Sequence, residues 1–420
     1  MKFKSPIGTL DIFTPQSDEV QALLVKFSDL VNKLGYKLII TPTFEDANLF
    51  KIGAGQTTDV VAKEMYEFED KGGRNLALKP EGTASVMRAF IEHSYQVPLR
   101  SWYFTSAFRY ESPQGGRYRE HHQIGVEVLG IASYLIEVEL IYILVKFYES
   151  IGLKHFTLLI NSMGHLECRN IYRSVLLDYL DANSDQLCPE HTERYKINPL
   201  RVLDCKKPQC QNLVSEAPKL SGFLCDDCKK HHELVLEALG ELKISYRPSD
   251  NLVRGFDYYS KTIFEFQSSA LTVSQSAISG GGRYDNLVSN LGGGEVPGVG
   301  FGMGIERLLL ALSAEGINLN TTPTYDIFIV GLASGFKPMM LVDKLVNSGF
   351  KVGYSADGGS FKSQLRQANK SGADVAVIIG ESEFNSDSVT LKNLRDSSQT
   401  VCTLDVMVSE LTDLLATIRE

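Results

Sequence analysis

The sequence predicts an α+β protein: an antiparallel sheet flanked by helices, interrupted by a helical insertion and followed by a separate C-terminal α/β domain. Three observations carry this. Extended segments from Tyr36 to Glu265 are separated by helices without regular strand-helix-strand alternation, which favours antiparallel pairing over a doubly wound sheet. Residues from about Gly164 to Gly240 are helix-like, and within them five of the seven cysteines crowd between Cys188 and Cys228. After a polar, turn-rich run from Glu315 to Pro323, strand and helix patterns alternate as in a parallel sheet. The expected divisions are residues 1–163 and 241–320 for a core in two parts, 164–240 for the insertion and 324–420 for the last domain. A chain of 420 residues, 43% of them apolar, is long enough for two or three such units.

In chain order, the first helix is set by Val20, Leu23, Leu24, Phe27, Leu30 and Leu34 at helical spacing, with Ser17 or Asp18 as its cap and Gly35 as its stop. Arg100 to Tyr110 reads as a strand, Ser112-Pro113-Gln114-Gly115-Gly116 as a turn, and Arg119 to Gly130 as the returning strand of a hairpin. Ile171 to Leu180 and His232 to Leu239 read as helices of the insertion. In the last domain, strands at 325–330, 351–354 and 375–379 enclose helices at 337–347 and 361–371.

The net charge is −9, and the last domain is also net acidic, so composition gives no sign of a nucleic-acid binder and any polyanion must meet a local basic surface. The N-terminus runs into Ser5-Pro6 without a continuous apolar stretch, so no secretory signal is expected. Tyr134 to Tyr148, the most apolar region, is broken by Glu137, Glu139 and Lys146, well short of the roughly 20 apolar residues of a membrane span. A cytoplasmic protein in a reducing compartment, with no membrane partner, is the expectation.

The usual phosphate-loop, dinucleotide and zinc-protease signatures are absent from the sequence. Arginines beside carboxylates and amides on strands stand in their place. In Arg119 to Gly130, Gln123, Gly125 and Glu127 alternate with Ile124, Val126 and Val128, so the apolar set faces a core and the amide and carboxylate share the other face. That pair can hold an ammonium group, or the strand is simply half exposed. The hairpin brings Arg109 near Gln123 and leaves Arg117 and Arg119 on its loop arm, where they can grip phosphate oxygens or form surface ion pairs. In Gly298-Val299-Gly300-Phe301-Gly302-Met303-Gly304, glycine at every other strand position clears one face for a flat ligand or for tight packing, and Arg307 follows in the first turn of a helix.

Phe108-Arg109-Tyr110-Glu111 on a hairpin and the alternating glycines ending in Glu306-Arg307 resemble the second and third signature motifs of class II aminoacyl-tRNA synthetases, and Thr41-Pro42-Thr43-Phe44-Glu45 resembles the first. Lys79-Pro80-Glu81-Gly82-Thr83, Gly116-Arg117-Tyr118-Arg119 through Gln123, Leu252 through Tyr259, and Gly281 through Asp285 narrow the resemblance to histidyl-tRNA synthetases. It spans nearly the whole chain, including Asn198 to Asp204 of the insertion.

The resemblance implies a class II catalytic sheet with a C-terminal anticodon-binding domain, and a ligase that joins L-histidine to ATP as histidyl-adenylate. It implies transfer to the 3′ end of tRNA(His), with pyrophosphate and AMP released, by a homodimer. Glu81, Gly82, Thr83, Gln123, Glu127, Tyr258, Tyr259 and Tyr284 would bind histidine. Arg109, Arg117, His121, Gly302, Gly304 and Arg307 would bind ATP, which arrives with Mg2+. Arg109 and Arg254 would be catalytic, Arg254 taking the place where relatives use a metal ion. His121 stands where the family usually has phenylalanine against adenine; imidazole can stack but is smaller and titratable, so a lower or a pH-dependent adenine affinity is expected. A histidine-binding regulator of synthetase-like fold is the rival reading, but such paralogues generally lack the C-terminal domain and lose several motif residues. This chain keeps Arg109, Arg254 and Arg307.

Cys205-x4-Cys210 and Cys225-x2-Cys228, with Cys188, His191, His231 and His232 nearby, have the count of one tetrahedral structural Zn2+ site, or are free thiols in a small helical domain.

Overall fold

The computed structural model describes residues 3–419 except 56–57, 206, 273–274, 320–324, 332–336, 381–382 and 384. Two compact units divide near Leu319, so the expected linker lies partly outside the described residues.

The first unit contains, in order, α1 (Gln16–Lys33), β1 (Lys37–Leu38), β2 (Phe44–Asp46), α2 (Ala47–Ala54), β3 (Glu67–Glu69), β4 (Asn75–Leu78), α3 (Thr83–Glu92), β5 (Leu99–Phe108), β6 (Glu120–Leu129), α4 (Leu135–Ser150) and β7 (Phe156–Ser162). Then come α5 (Leu166–Ala182), α6 (Pro189–Thr192), α7 (Pro208–Glu216) and α8 (Asp226–Glu241). β8 (Tyr246–Pro248), β9 (Ser260–Ser268), β10 (Ala277–Arg283), α9 (Leu287–Asn290), β11 (Gly298–Gly304) and α10 (Ile305–Ala314) complete it. Eight strands form one sheet in the order β1-β5-β6-β11-β10-β9-β7-β8. Its six central strands are antiparallel; only the edge strands β1 and β8 pair in parallel. The α5–α8 segment leaves the sheet after β7 and returns at β8, its parallel neighbour.

Strand alternation decides which face is filled. Ile124, Val126 and Val128 of β6, Val299, Phe301 and Met303 of β11, and Phe264 and Phe266 of β9 pack with Leu23 and Phe27 of α1, Leu140 and Phe147 of α4, and Leu308 of α10. Burying each such side chain is worth about 1.5–3 kcal/mol. A one-residue slip of β6 would put three of them on the opposite face, so the register is strongly specified. That register fixes Gly125, Glu127, Gly300 and Gly302 on the other side.

Gly35 ends α1 in the left-handed conformation at φ +83°, as expected. The cap differs: α1 starts two to three residues earlier, after Pro15, with no side-chain cap. Thr14 Oγ1 instead donates to Asp18 Oδ2 at 2.7 Å, because Asp18 already lies inside the helix.

The second unit holds β12 (Ile327–Gly331), α11 (Lys337–Asn347), β13 (Val352–Tyr354), α12 (Phe361–Lys370), β14 (Val375–Ile379), β15 (Ser388–Asn393), β16 (Gln399–Thr403) and α13 (Met407–Arg419). β13, β12 and β14 are parallel as predicted, but β15 and β16 add antiparallel edges, so this sheet is mixed. Both strands are short and carry few apolar positions, which hid them from periodicity alone. Among the described residues, no helix is long and apolar enough to cross a membrane.

Candidate functional site

The open face of the large sheet forms the floor of a cavity of about 520 Å³, walled by the β5–β6 hairpin, the start of α3 and the 253–259 loop. Across the floor, residues of five strands stand in one row: Tyr103 opposite Gly125, Gly125 opposite Gly302, Gly302 opposite Gly280, and Gly280 opposite Glu265. The three glycines make the row a trough. A Cβ at Gly302 would lie 2.1 Å from Gln123 Nε2, and one at Gly300 would lie 1.9 Å from Glu127 Oε2. The glycines are therefore the space in which neighbouring polar side chains lie, more than a bare surface for a ligand. Gly304, at the mouth, would meet nothing within 4 Å.

At the deep end, Glu127 is fully buried, which removes the half-exposed reading of its strand. Its Oε1 accepts from Thr83 Oγ1 at 2.8 Å and from Tyr103 OH at 3.3 Å, and its Oε2 accepts from Tyr284 OH. Burial, with the nearby Glu81 carboxylate adding to it against these hydrogen bonds, raises its pKa to about 8. Glu81 is also buried and its pKa is raised by desolvation, although the Thr83 and Ala84 amides donate to it at 2.7 and 2.8 Å. Those amides belong to the first turn of α3, where unpaired N–H groups favour a carboxylate. Two neighbouring buried carboxyls, each with a raised pKa, make a site suited to an ammonium ion.

Tyr258 and Tyr259, buried and 4.7 Å apart between ring centroids, stand beside this pair, and Tyr284 meets Tyr258 edge-on at 5.6 Å. Gly82 is required here because a Cβ would lie 2.4 Å from the Tyr103 ring. The tyrosines surround a space with aromatic faces and hydroxyls together.

At the mouth the charge is positive. Arg109 donates from Nε to Pro80 O at 2.9 Å and lies over the Phe256 ring, its guanidinium 5.5 Å from the centroid. Arg307 donates to Gly116 O at 3.2 Å and Ala277 O at 3.0 Å, and the more exposed Arg117 lies 3.3 Å from Glu111. Between the two ends, Arg254 pairs with Glu265 at 2.6 Å. Arg254 Nε and Gln123 Oε1 are buried without a hydrogen-bond partner among the described residues, which marks a wall built for a polar ligand. His121 is also there, but burial first, then Arg109 and Arg307, lower its pKa to about 3. Burial and the two guanidinium groups thus favour the neutral ring, against the titration expected of His121.

Arg109 and Arg117 from the β5–β6 hairpin, Arg254 from the 253–259 loop and Arg307 from α10 thus reach one cavity from three separated parts of the chain. A histidyl-tRNA synthetase family model matches residues 8–308, and an anticodon-binding-domain model matches residues 329–414.

The chain belongs to the histidyl-tRNA synthetase family.

The histidine–tRNA ligase of Clostridioides difficile strain 630 is 41% identical over 417 residues, covering 98% of this chain and 99% of that one. The histidine–tRNA ligase of Caldanaerobacter subterraneus is 42% identical over 410 residues, covering 96% and 98%. The crystal structure of apo histidyl-tRNA synthetase from S. aureus superposes with a TM-score of 0.81 at 32% identity, over 98% of this chain and 100% of the other.

Sequence reasoning gave no role to Glu265, Arg201 and Asp204, which line this synthetase's cavity, or to Tyr103, which bonds to Glu127 in the cross-strand row. Glu265, the partner of Arg254, alternates with the buried Phe264 and Phe266 on β9. Tyr103, on β5, shows as a functional residue only through the cross-strand register. Arg201 and Asp204, in the 198–204 segment that shares in the resemblance, reach the cavity from 53 and 50 residues before Arg254 in the chain, and no spacing along the chain signals that approach.

The expected single zinc set of Cys205, Cys210, Cys225 and Cys228 is corrected. The two cysteine pairs fall in different clusters: Cys205 and Cys210 with Cys188 and His191, and Cys225 and Cys228 with His165 and Cys168. Sequence proximity misled because α7 and the turn after it separate the two pairs, while α5 returns the distant His165 and Cys168 to the start of α8.

Proposed function

We propose that the cavity activates L-histidine with ATP and that the enzyme transfers the product to tRNA(His). Glu81, Gln123 and Glu127, with Thr83, hold the α-ammonium group; Tyr258, Tyr259 and Tyr284 contact the imidazole, and Gly82 leaves room for them. Arg109 meets the α-phosphate, Arg117 and Arg307 the γ-phosphate, and His121, Gly302 and Gly304 flank the adenosine. ATP enters as its Mg2+ complex. A carboxylate oxygen of histidine attacks the α-phosphorus, the bond to the β-phosphate oxygen breaks, and pyrophosphate leaves with the electron pair. The nucleophile is already ionised at neutral pH, so no general base is needed. Both reactants are anionic, and Arg254, held by Glu265 between the two ends, supplies positioned positive charge where it develops. A 3′-terminal hydroxyl of the tRNA then attacks the carbonyl and AMP departs.

The observation that carries this reading is the pair of buried carboxyls, Glu81 and Glu127, at one end of a cavity whose other end is lined by arginines. Histidine-dependent ATP–pyrophosphate exchange, run beside Arg254→Ala, tests it. Loss of one oriented charge donor lowers such rates by about 10²–10³-fold; a folded parent protein that does not exchange would point to the histidine-binding regulator instead. We further assign residues 164–240 as an insertion domain, residues 324–420 as the unit that reads the anticodon region, a homodimer as the working state, and the cytoplasm as the location.

A further inference from the structure

Six of the seven cysteines and two histidines condense into two clusters, and in each the four candidate ligand atoms lie within 4.8 Å of one another. We infer that the insertion carries two structural zinc sites, each of three thiolates and one imidazole: His165, Cys168, Cys225 and Cys228 in one, and Cys188, His191, Cys205 and Cys210 in the other.

The geometry fits a tetrahedral ion. With zinc–sulfur bonds of about 2.3 Å and zinc–nitrogen bonds of about 2.0–2.1 Å, ligand atoms sit about 3.6–3.8 Å apart. His165 Nδ1 lies 3.0 Å from Cys168 Sγ, 3.4 Å from Cys228 Sγ and 3.9 Å from Cys225 Sγ. In the second cluster His191 Nδ1 lies 3.1 Å from Cys188 Sγ and 3.9 Å from Cys210 Sγ, and the Cys188 and Cys205 sulfurs are 4.0 Å apart. In each cluster an imidazole nitrogen lies within 4 Å of more than one sulfur, three for His165 and two for His191, a contact that has no part in a disulfide.

The surroundings are those of thiolate ligands. The Cys225 amide lies 3.2 Å from Cys168 Sγ, and the Cys188 amide 3.2 Å from Cys210 Sγ, so each cluster has a backbone N–H placed to stabilise negative sulfur. Glu167 accepts at 3.3 Å from His165 Nε2, the carboxylate contact that fixes a ligating imidazole with Nδ1 toward the metal.

The two sites stand where they can brace the 253–259 loop. Arg169, next to Cys168, donates from Nη1 to Asp257 O at 2.9 Å and Tyr259 O at 2.8 Å. Arg201, four residues before Cys205, donates to Gly255 O at 2.7 Å. Each metal would fix the base of a segment whose guanidinium grips the backbone carrying Arg254, Tyr258 and Tyr259. The metal sites do not depend on the histidine-activation reading; only the value of bracing that loop does.

Metal content of the full chain, purified without chelators or a metal-affinity column, is the test. About two zinc ions per chain are expected. Cys168→Ser and Cys188→Ser should each remove one ion, their combination both, and Cys402→Ser neither. Where a variant does not fold, Co2+ titration of the chelator-stripped parent chain replaces it, with thiolate-to-cobalt absorption that breaks at about two equivalents. Amide exchange at residues 253–259 should be faster in the stripped chain. No bound zinc and no cobalt band would overturn the proposal, as would one ion per chain lost with either Cys205→Ser or Cys225→Ser, the mark of a single mixed site.

Discussion

Arg254 passes directly over Gly280 to reach Glu265: a Cβ on residue 280 would lie 2.4 Å from Arg254 Nη1, the same nitrogen that pairs with Glu265 at 2.6 Å. The glycine is therefore part of how the guanidinium is aimed.

Gly280→Ala should push the guanidinium aside while leaving the fold, because the colliding atoms are the far end of a flexible side chain. Adenylate formation is expected to fall by about 10²-fold, close to the effect of Arg254→Ala, with the Tm changed by only a few degrees. Pyrophosphate exchange and thermal unfolding measured together check this; exchange at the parent rate would show that Arg254 need not hold its observed place.

Glu127 should release its proton when histidine binds. Its carboxyl is protonated below about pH 8 in the free protein, and an arriving ammonium favours the ionised form. Histidine affinity contributed by this group therefore rises with pH until about 8 and then levels. Calorimetric titration at pH 7.5 in buffers of different ionisation enthalpy should register proton release that shrinks as the pH is raised past 8. A release that does not change over that range would count against the assignment.

His121 should not confer pH dependence on ATP binding. With its pKa near 3, the imidazole is neutral at pH 6 and at pH 8 alike. The ratio of ATP Kd at those two pH values should be the same for the parent and for His121→Phe, and a ratio that differs between them would mean the ring titrates.

Behind the sheet, Arg283 and Glu137 are both fully buried and paired at 2.5 Å, with His231 at 2.7 Å on the other side of the carboxylate. This ties β10 to α4 and to α8 of the insertion. Arg283→Met would leave the Glu137 charge with only the histidine, and removing one partner of such a pair costs about 3–5 kcal/mol. Denaturant unfolding should show that loss, whereas a change below about 1 kcal/mol would mean that water or rearrangement replaces the guanidinium.

The β5–β6 hairpin, the inward face of Ile124, Val126 and Val128, and the three parallel strands of the second unit were readable because each rests on a period of two or on local turn chemistry. β15 and β16 were not, since short edge strands with polar positions carry a weak period. The roles of Arg109, Gln123, Glu127 and Arg254 were legible through resemblance, but Tyr103 and Glu265 entered only with the register that sets them at opposite ends of the glycine row.

By itself, the sequence determined the kinds of element, the apolar side of each central strand and the family, because these depend on residue type and on spacing along the chain. Tertiary structure alone decided which cysteines stand together, that burial raises the Glu127 pKa and lowers that of His121, and that Arg201 reaches the cavity. Burial and charge proximity arise between segments far apart in the chain, and no local pattern records the distance at which folding places them.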